Sequence, residues 1–199
     1  MKEKKHILGI LLLITALLLA ACGGNSQSDT EKPEENQENT SEESASHSKE
    51  NMQQHMSSSG EVPDDLKVAE DPTYEVGSNA IITASHMNME AMSGAVATIV
   101  GAYDTTAYVV SYTPTNGGEA VENHKWVIHK ELERPGKAPL EPGTEVILNA
   151  DHMKGMDGAE AVIESAEETT VYMVDFTPSG GNEVVNHKWV IESELEPAE

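Results

Sequence analysis

Apolar and polar residues alternate along several short segments in the last two thirds of the chain. In "TTVYMVDFT" (169–177), Tyr172, Val174 and Phe176 occupy every second position. A period of two is typical of a β-strand with one buried face. The segments "TEVILN", "EAVIES" and "VVNHKWVIES" are likewise rich in β-branched and aromatic residues and are bounded by Gly, Pro and Asn. The pattern predicts an all-β fold.

The strand pattern occurs twice. One copy begins with "VGSNAIITASHM" near Val76 and the other with "PGTEVILNADHM" near Pro142, and both contain "NHKWVI" towards their ends. Four or five short strands in each copy favour a small barrel, and the first hairpin pattern is similar to that of SH3-like barrels. We therefore expect two tandem repeats, each a small SH3-like barrel. A single merged β-domain is the alternative.

Composition sets the expected domain boundaries. The first β repeat is predicted over 76–133 and the second over 142–196, joined over 134–141 by a linker that contains Pro and Gly. Residues 22–75 are rich in Glu, Ser and Asn and poor in apolar side chains. Because such a segment buries too little surface to offset chain entropy, we predict a disordered acidic tether there.

The N-terminus has the features of a secretory signal. Three lysines precede an apolar run over 7–19, and small residues follow up to Cys22. The string "LAAC" is similar to a bacterial lipobox, in which cleavage leaves the cysteine as a lipid-modified N-terminus. We therefore predict a signal peptide over 1–21 and a mature protein held by Cys22 on the extracytoplasmic face of the cell membrane. An ordinary secretory signal with a stray cysteine is the alternative.

Charge and cysteine content narrow the classes of partner. The formal net charge of −23 over 199 residues would repel nucleic acid and anionic lipid surfaces, so cations are the expected binding partners. Cys22 is the only cysteine, so no internal disulfide is possible.

Histidine and methionine occur together three times, in "MQQHM" (52–56), "SHMNMEAM" (85–92) and "DHMKGM" (151–156). Methionine often fills gaps in cores, but the predicted tether has no core to fill. Thioether and imidazole donors suit Cu(I), with Ag(I) as a chemical relative, better than Mg(II) or Ca(II). Core packing is the alternative to a metal site. The predicted ligands in the two repeats are His86, Met87, Met89, Met92, His152, Met153 and Met156.

The "NHKWVI" strings add further candidates. On a regular strand, His124 and Trp126 share a face, as do His187 and Trp189. In one interpretation the indole lies in the core and the histidine is hydrogen-bonded at its rim. In the other, the imidazole is a metal ligand beside an indole face that holds a cation through the ring quadrupole. Both interpretations stay open.

Together, the lipobox, the acidic tether and the twin "HM…M", "TP…GG" and "NHKWVI" strings resemble the YdhK family of Gram-positive surface lipoproteins. Some members are linked to copper resistance, so the resemblance implies a copper-binding surface lipoprotein. The extra "NME" of the first copy leaves open whether Met89 or Met92 corresponds to Met156.

We expect a lipid-anchored Cu(I)-binding protein that sequesters or hands over copper at the cell surface. The alternative is a non-catalytic interaction module for cell-wall polymer or another protein. Catalysis is not expected, because the sequence has no nucleophile elbow, no Gly-rich phosphate loop and no H-E-x-x-H motif.

Overall fold

Both repeats contribute equivalent strands to one antiparallel sheet in a computed structural model that describes residues 57–86 and 90–198. The strands are β1 (Asn79–Ile82), β2 (Val96–Tyr112), β3 (Val121–Ile128), β4 (Glu145–Ile147), β5 (Glu160–Phe176), β6 (Val184–Ile191) and β7 (Leu195–Pro197). Short 3-10 helices span Glu90–Met92, His129–Glu131 and Glu192–Glu194. No helix in the described ranges is long and apolar enough to cross a membrane.

The two long strands organise the sheet. β2 and β5 pair with each other from Ala97↔Phe176 to Tyr112↔Ala161. The first half of β2 also pairs with β1 and its second half with β3, while β5 pairs in the same way with β4 and β6. The prediction of an all-β fold with two tandem repeats is confirmed. The strands of both repeats lie in one sheet, as in the alternative of a merged β-domain, and the SH3-like form of each repeat stays a prediction.

The end of each repeat lies close to the start of the other repeat. The second half of β2 pairs with β3 on one side and, on the other, with the first half of β5, which also pairs with β4. The second half of β5 pairs with β6 on one side and, on the other, with the first half of β2. Although two strands separate β4 from β3 in the sheet, a bridge between Leu132 and Leu148 brings the residues after β3 against those after β4, and the pair Ile82↔Leu195 does the same for the residues after β6 and the end of β1. Backbone hydrogen bonds fix both neighbourhoods, from Asn149 N–H to the Glu131 carbonyl at 2.8 Å and from Thr83 N–H to the Glu194 carbonyl at 2.9 Å.

Three apolar clusters form the core. One contains Met92 and Phe176, a second contains Met156 and Tyr112, and a third contains both tryptophans. Burial of one large apolar side chain contributes about 1.5–3 kcal/mol to stability, so these clusters account for the association of the repeats.

The end of the predicted tether packs against the sheet. Val62 and Leu66 contact the cluster that contains the tryptophans, Ser58 N–H donates to the Val185 carbonyl at 3.0 Å, and the Lys67 ammonium pairs with the Asp104 carboxylate. Ala69 and Tyr74 pack against the cluster that contains Met92, and Val68 bridges Tyr103, so residues 57–75 lie against the sheet and do not form the predicted disordered tether. The signal peptide, Cys22 and the rest of the tether lie outside the described residues.

Candidate functional site

The strand that carries each "NHKWVI" string is irregular at its asparagine. Asn123 and Asn186 have φ values of 53° and 51°, in the left-handed region that asparagine tolerates better than most residues. The register of β3 against β2, and of β6 against β5, shifts on either side of His124 and His187. The peptide bond before each tryptophan is cis.

The histidine and the tryptophan of one string have different neighbours. His124 packs edge-on against Tyr112 and His187 against Phe176, with ring centroids 6.0 and 5.7 Å apart. The tryptophans belong to a different cluster, which Tyr112 and Phe176 do not join. The cation over each indole is the ammonium of the preceding lysine, at 5.0 Å for Trp126 and 5.9 Å for Trp189.

Four histidines with largely buried side chains fall into two equivalent groups, each joined to a buried glutamate and a tryptophan. We name them the His86 centre, formed by His86, Trp126, His187 and Glu194, and the His152 centre, formed by His124, Glu131, His152 and Trp189.

In the His152 centre, a carboxylate links histidine, tryptophan and backbone. His152 Nε2 lies 2.8 Å from Glu131 Oε1. Glu131 Oε2 accepts hydrogen bonds from Trp189 Nε1 at 3.0 Å and from the Ile128 backbone N–H at 3.1 Å. Only 3% of Glu131 is exposed to solvent, so its charge is compensated by these donors.

The His86 centre repeats the arrangement. His86 Nε2 lies 3.0 Å from Glu194 Oε2, which also accepts from Trp126 Nε1 at 2.7 Å and from the Ile191 N–H at 3.4 Å. The Lys125 ammonium adds a contact of 3.5 Å to the other carboxylate oxygen.

The two glutamates were not predicted from the sequence. Each is the last residue of the 3-10 helix that follows "NHKWVI", where its carboxylate accepts from the isoleucine N–H that begins the turn. Their signal was the shared string W-V-I-x-x-E, at Trp126–Glu131 and Trp189–Glu194. Most glutamates within residues 57–86 and 90–198 are exposed, so the recurrence of this one at equivalent positions was the informative feature.

Both carboxylates are ionised and fix the proton on the imidazole. Burial alone would raise the pKa of Glu131, but the charge of His152 and the hydrogen bonds from His152, Ile128 and Trp189 lower it. The pKa of Glu194 is lowered in the same way, against its burial, by His86, Trp126 and the Ile191 N–H. Because an ionised carboxylate only accepts, Nε2 of each bound histidine carries a proton. In a neutral ring the lone pair is then on Nδ1.

Each of these histidines faces the strand histidine of the other repeat. The ring centroids of His124 and His152 are 6.1 Å apart, and those of His86 and His187 are 5.9 Å apart. Burial, with the neighbouring charges of His152 and His86, lowers the pKa of His124 to about 3, so this imidazole is neutral near pH 7.

Several ring nitrogens in these centres are buried without a hydrogen-bond partner: Nδ1 of His86, Nδ1 of His152 and both nitrogens of His124. A buried polar atom left unpaired costs about 1–3 kcal/mol, and native structures contain few of them. These unpaired nitrogens of His86, His124 and His152 are the atoms of the two centres that could contact a ligand or water.

The methionines take different positions. Met92 and Met156 are fully buried in apolar clusters, so hydrophobic packing accounts for both, and their role as ligands stays a prediction. Met153 is partly buried, and its Sδ accepts a hydrogen bond from the Tyr112 hydroxyl at 3.5 Å. Met87 and Met89 lie outside the described residues.

Within residues 57–86 and 90–198, no three side chains of His, Cys, Asp or Glu converge in a way that could hold a metal ion. A metal site in this part of the chain would therefore combine an imidazole pair with a donor of another kind, such as a thioether.

Fold and site together define a tandem-repeat β-protein whose copies exchange buried Glu–His pairs. A family described as "Protein of unknown function (DUF1541)" matches residues 76–129 and 142–192, and the chain belongs to this family. This chain is 56% identical over 153 residues to the "Uncharacterized protein YdhK" of Bacillus subtilis (strain 168), and the alignment covers 75% of this chain and 74% of that protein.

Solved structures of the same relative agree with the fold. The crystal structure of the DUF1541 family protein ydhK from Bacillus subtilis matches with a TM-score of 0.70 at 56% identity, over 74% of this chain and 99% of that one. A solution NMR structure of the ydhK C-terminal domain matches with a TM-score of 0.57 at 60% identity, over 62% of this chain and 92% of that one. The resemblance to the YdhK family is confirmed.

Proposed function

We propose that this protein is a lipid-anchored, non-catalytic Cu(I)-binding protein that sequesters or hands over copper at the extracytoplasmic surface. The observation that carries the proposal is the set of buried imidazole nitrogens without hydrogen-bond partners, on His86, His124 and His152. The lipid anchor rests on "LAAC" and the preceding signal-like segment.

Orientation of the imidazoles supports metal binding. A metal-bound histidine almost always donates its second ring N–H to a carboxylate, a carbonyl or water, which fixes the tautomer and raises the basicity of the ligating nitrogen. His152 and His86 have this arrangement with Glu131 and Glu194. The nitrogen left for a ligand is the buried, unpaired Nδ1 in each case.

Ring spacing is also compatible with a shared ion. A nitrogen ligand binds a d¹⁰ cation at about 2.0 Å, and the ring centre lies about 1 Å behind the nitrogen, so two rings that bind one ion from opposite sides have centres about 6 Å apart. The observed centroid separations are 6.1 and 5.9 Å.

Donor chemistry favours Cu(I), with Ag(I) as its relative. Ca(II) and Mg(II) need oxygen ligands, but the buried carboxylates already accept hydrogen bonds from the tryptophans and the backbone. Two imidazole nitrogens with a nearby thioether such as Met153 form a softer donor set than carboxylate and carbonyl oxygens. The acidic surface raises the local concentration of cations.

Titration of the mature chain with Cu(I) against bicinchoninate, a competing Cu(I) chelator, tests the proposal. Wild type is expected to take Cu(I) from the chelator, and His124→Gln to lose part of that capacity. His129→Gln is the matched control, because both His129 nitrogens have partners, the Tyr108 hydroxyl at 2.9 Å and the Gly136 carbonyl at 3.2 Å. Failure of wild type to compete, or equal binding by His124→Gln, would contradict the proposal.

A surface groove favours the second candidate function, a module that binds cell-wall polymer or another protein. The groove has a volume of about 730 Å³ and runs beside β4, where Tyr112, Val121, Leu140, Val146 and Val162 contribute to its lining. If this were the only function, Cu(I) would leave the melting temperature unchanged. Under the Cu(I) proposal the melting temperature rises, because a ligand that binds only the native state stabilises it by mass action.

A further inference from the structure

Each centre mixes residues of both repeats. His86 and Trp126 of the first repeat contact Glu194 of the second, whereas His152 and Trp189 of the second contact Glu131 of the first. The strand histidines follow the same exchange, since His187 faces His86 and His124 faces His152.

From this geometry we propose that the protein has two separate Cu(I) sites, one between His86 and His187 and one between His124 and His152, and that each is complete only when both repeats contribute. The inference rests on the proposed function and specifies its stoichiometry and ligand pairing. It also answers a question that the repeated strings leave open, namely whether the imidazoles of one site come from one repeat or from both.

Topology makes the exchange a consequence of the fold. His124 lies on β3, which pairs with the second half of β2. That half of β2 pairs with the first half of β5, which also pairs with β4, and His152 lies in the loop after β4. β6, which carries His187, is related in the same way to the loop after β1, which contains His86. The glutamate that orients each loop histidine follows the strand that supplies the second imidazole, so all three groups of a site are held by the same contact between repeats.

Two double variants distinguish exchanged sites from sites within each repeat. His124→Gln with His152→Gln removes both imidazoles of one exchanged site, so one of two Cu(I) equivalents should remain. His152→Gln with His187→Gln removes one imidazole from each exchanged site, so no tight equivalent should remain. Glutamine is chosen because its amide N–H can still donate to the buried carboxylate.

The measurement is the number of Cu(I) ions retained per mature chain in the presence of bicinchoninate, with circular dichroism to confirm that each variant is folded. Two ions in wild type, one in the first double variant and none in the second support the inference. The reverse pattern in the two variants would establish sites within each repeat and overturn it. One ion in wild type would overturn it while leaving the Cu(I)-binding function intact, and no ion in wild type would refute both.

Should a double variant be unfolded, wild type provides the same test. During titration with Ag(I), the ring resonances of His124 and His152 should shift together in NMR spectra, as should those of His86 and His187. Joint shifts of His86 with His124, in the same repeat, would contradict exchanged sites.

Discussion

Replacement of Glu131 by alanine tests how much the exchanged carboxylates contribute to the fold. The change removes a buried acceptor and leaves three donors without a partner: Nε2–H of His152, Nε1–H of Trp189 and the backbone N–H of Ile128. Each unpaired buried donor costs about 1–3 kcal/mol. Loss of one member of a buried ion pair typically costs about 3–5 kcal/mol in total. We expect Glu131→Ala to lower the free energy of unfolding by about 3–5 kcal/mol.

Urea denaturation followed by far-ultraviolet circular dichroism is the suitable assay, because Trp189 itself contacts the altered site and its fluorescence would report local change. With an m-value of about 2 kcal/mol/M, the midpoint should fall by about 1.5–2.5 M. Glu133→Ala is the matched control, since this glutamate forms only an exposed pair with Arg134, worth about 0–1 kcal/mol. A loss below 1 kcal/mol for Glu131→Ala, or equal losses in the two variants, would refute the reasoning.

Three further predictions concern the core and the titrating groups. Met156→Ala should cost about 2–5 kcal/mol because Met156 is fully buried, whereas Met156→Leu should cost less than about 1.5 kcal/mol in the same assay, and equal costs would contradict a packing role. Folding lowers the pKa values of Glu131 and Glu194, so their contribution to the free energy of unfolding is complete above the ordinary glutamate pKa and is lost as pH falls through the folded-state values. Urea midpoints that do not fall between pH 7 and pH 3 would contradict this prediction. In the metal-free protein the ring resonances of His124, whose pKa is about 3, should not titrate between pH 8 and pH 5, and a midpoint near 6.5 would show that the ring is solvated.

Sequence patterns located the strand-forming segments but not their continuity or their partners. The duplicated strings predicted two repeats, but "EAVIES" and "TTVYMVDFT", predicted as separate short strands, belong to one 17-residue strand, β5. Separate barrels and a merged sheet require the same alternation, because the choice depends on which long strands pair. The pairing of β2 with β5 along their whole length is set by packing between residues distant in the sequence.

The sequence identified only part of the candidate site, because contacts between distant residues also determine the site. His86, His124, His152 and His187 were selected from local strings, and the structure brings them together in pairs. The pairing joins different repeats, which no local string encodes. Met92 and Met156 were selected by their distance from a histidine in the sequence, but distance along the chain does not separate a thioether that faces an imidazole from one that fills the core.

Selection of Glu131 and Glu194 required the structure. The sequence alone does not distinguish a buried glutamate from a solvated one. The buried glutamates are distinguished by the tryptophan and backbone N–H donors that surround their carboxylates.

X-ray absorption spectroscopy of the Cu(I)-loaded mature chain tests most directly whether the buried imidazoles hold the ion. The account predicts nitrogen scattering at about 2.0 Å with the outer-shell pattern of imidazole rings, accompanied by sulfur at about 2.3 Å. A first shell of sulfur alone, or of oxygen without imidazole scattering, would contradict it.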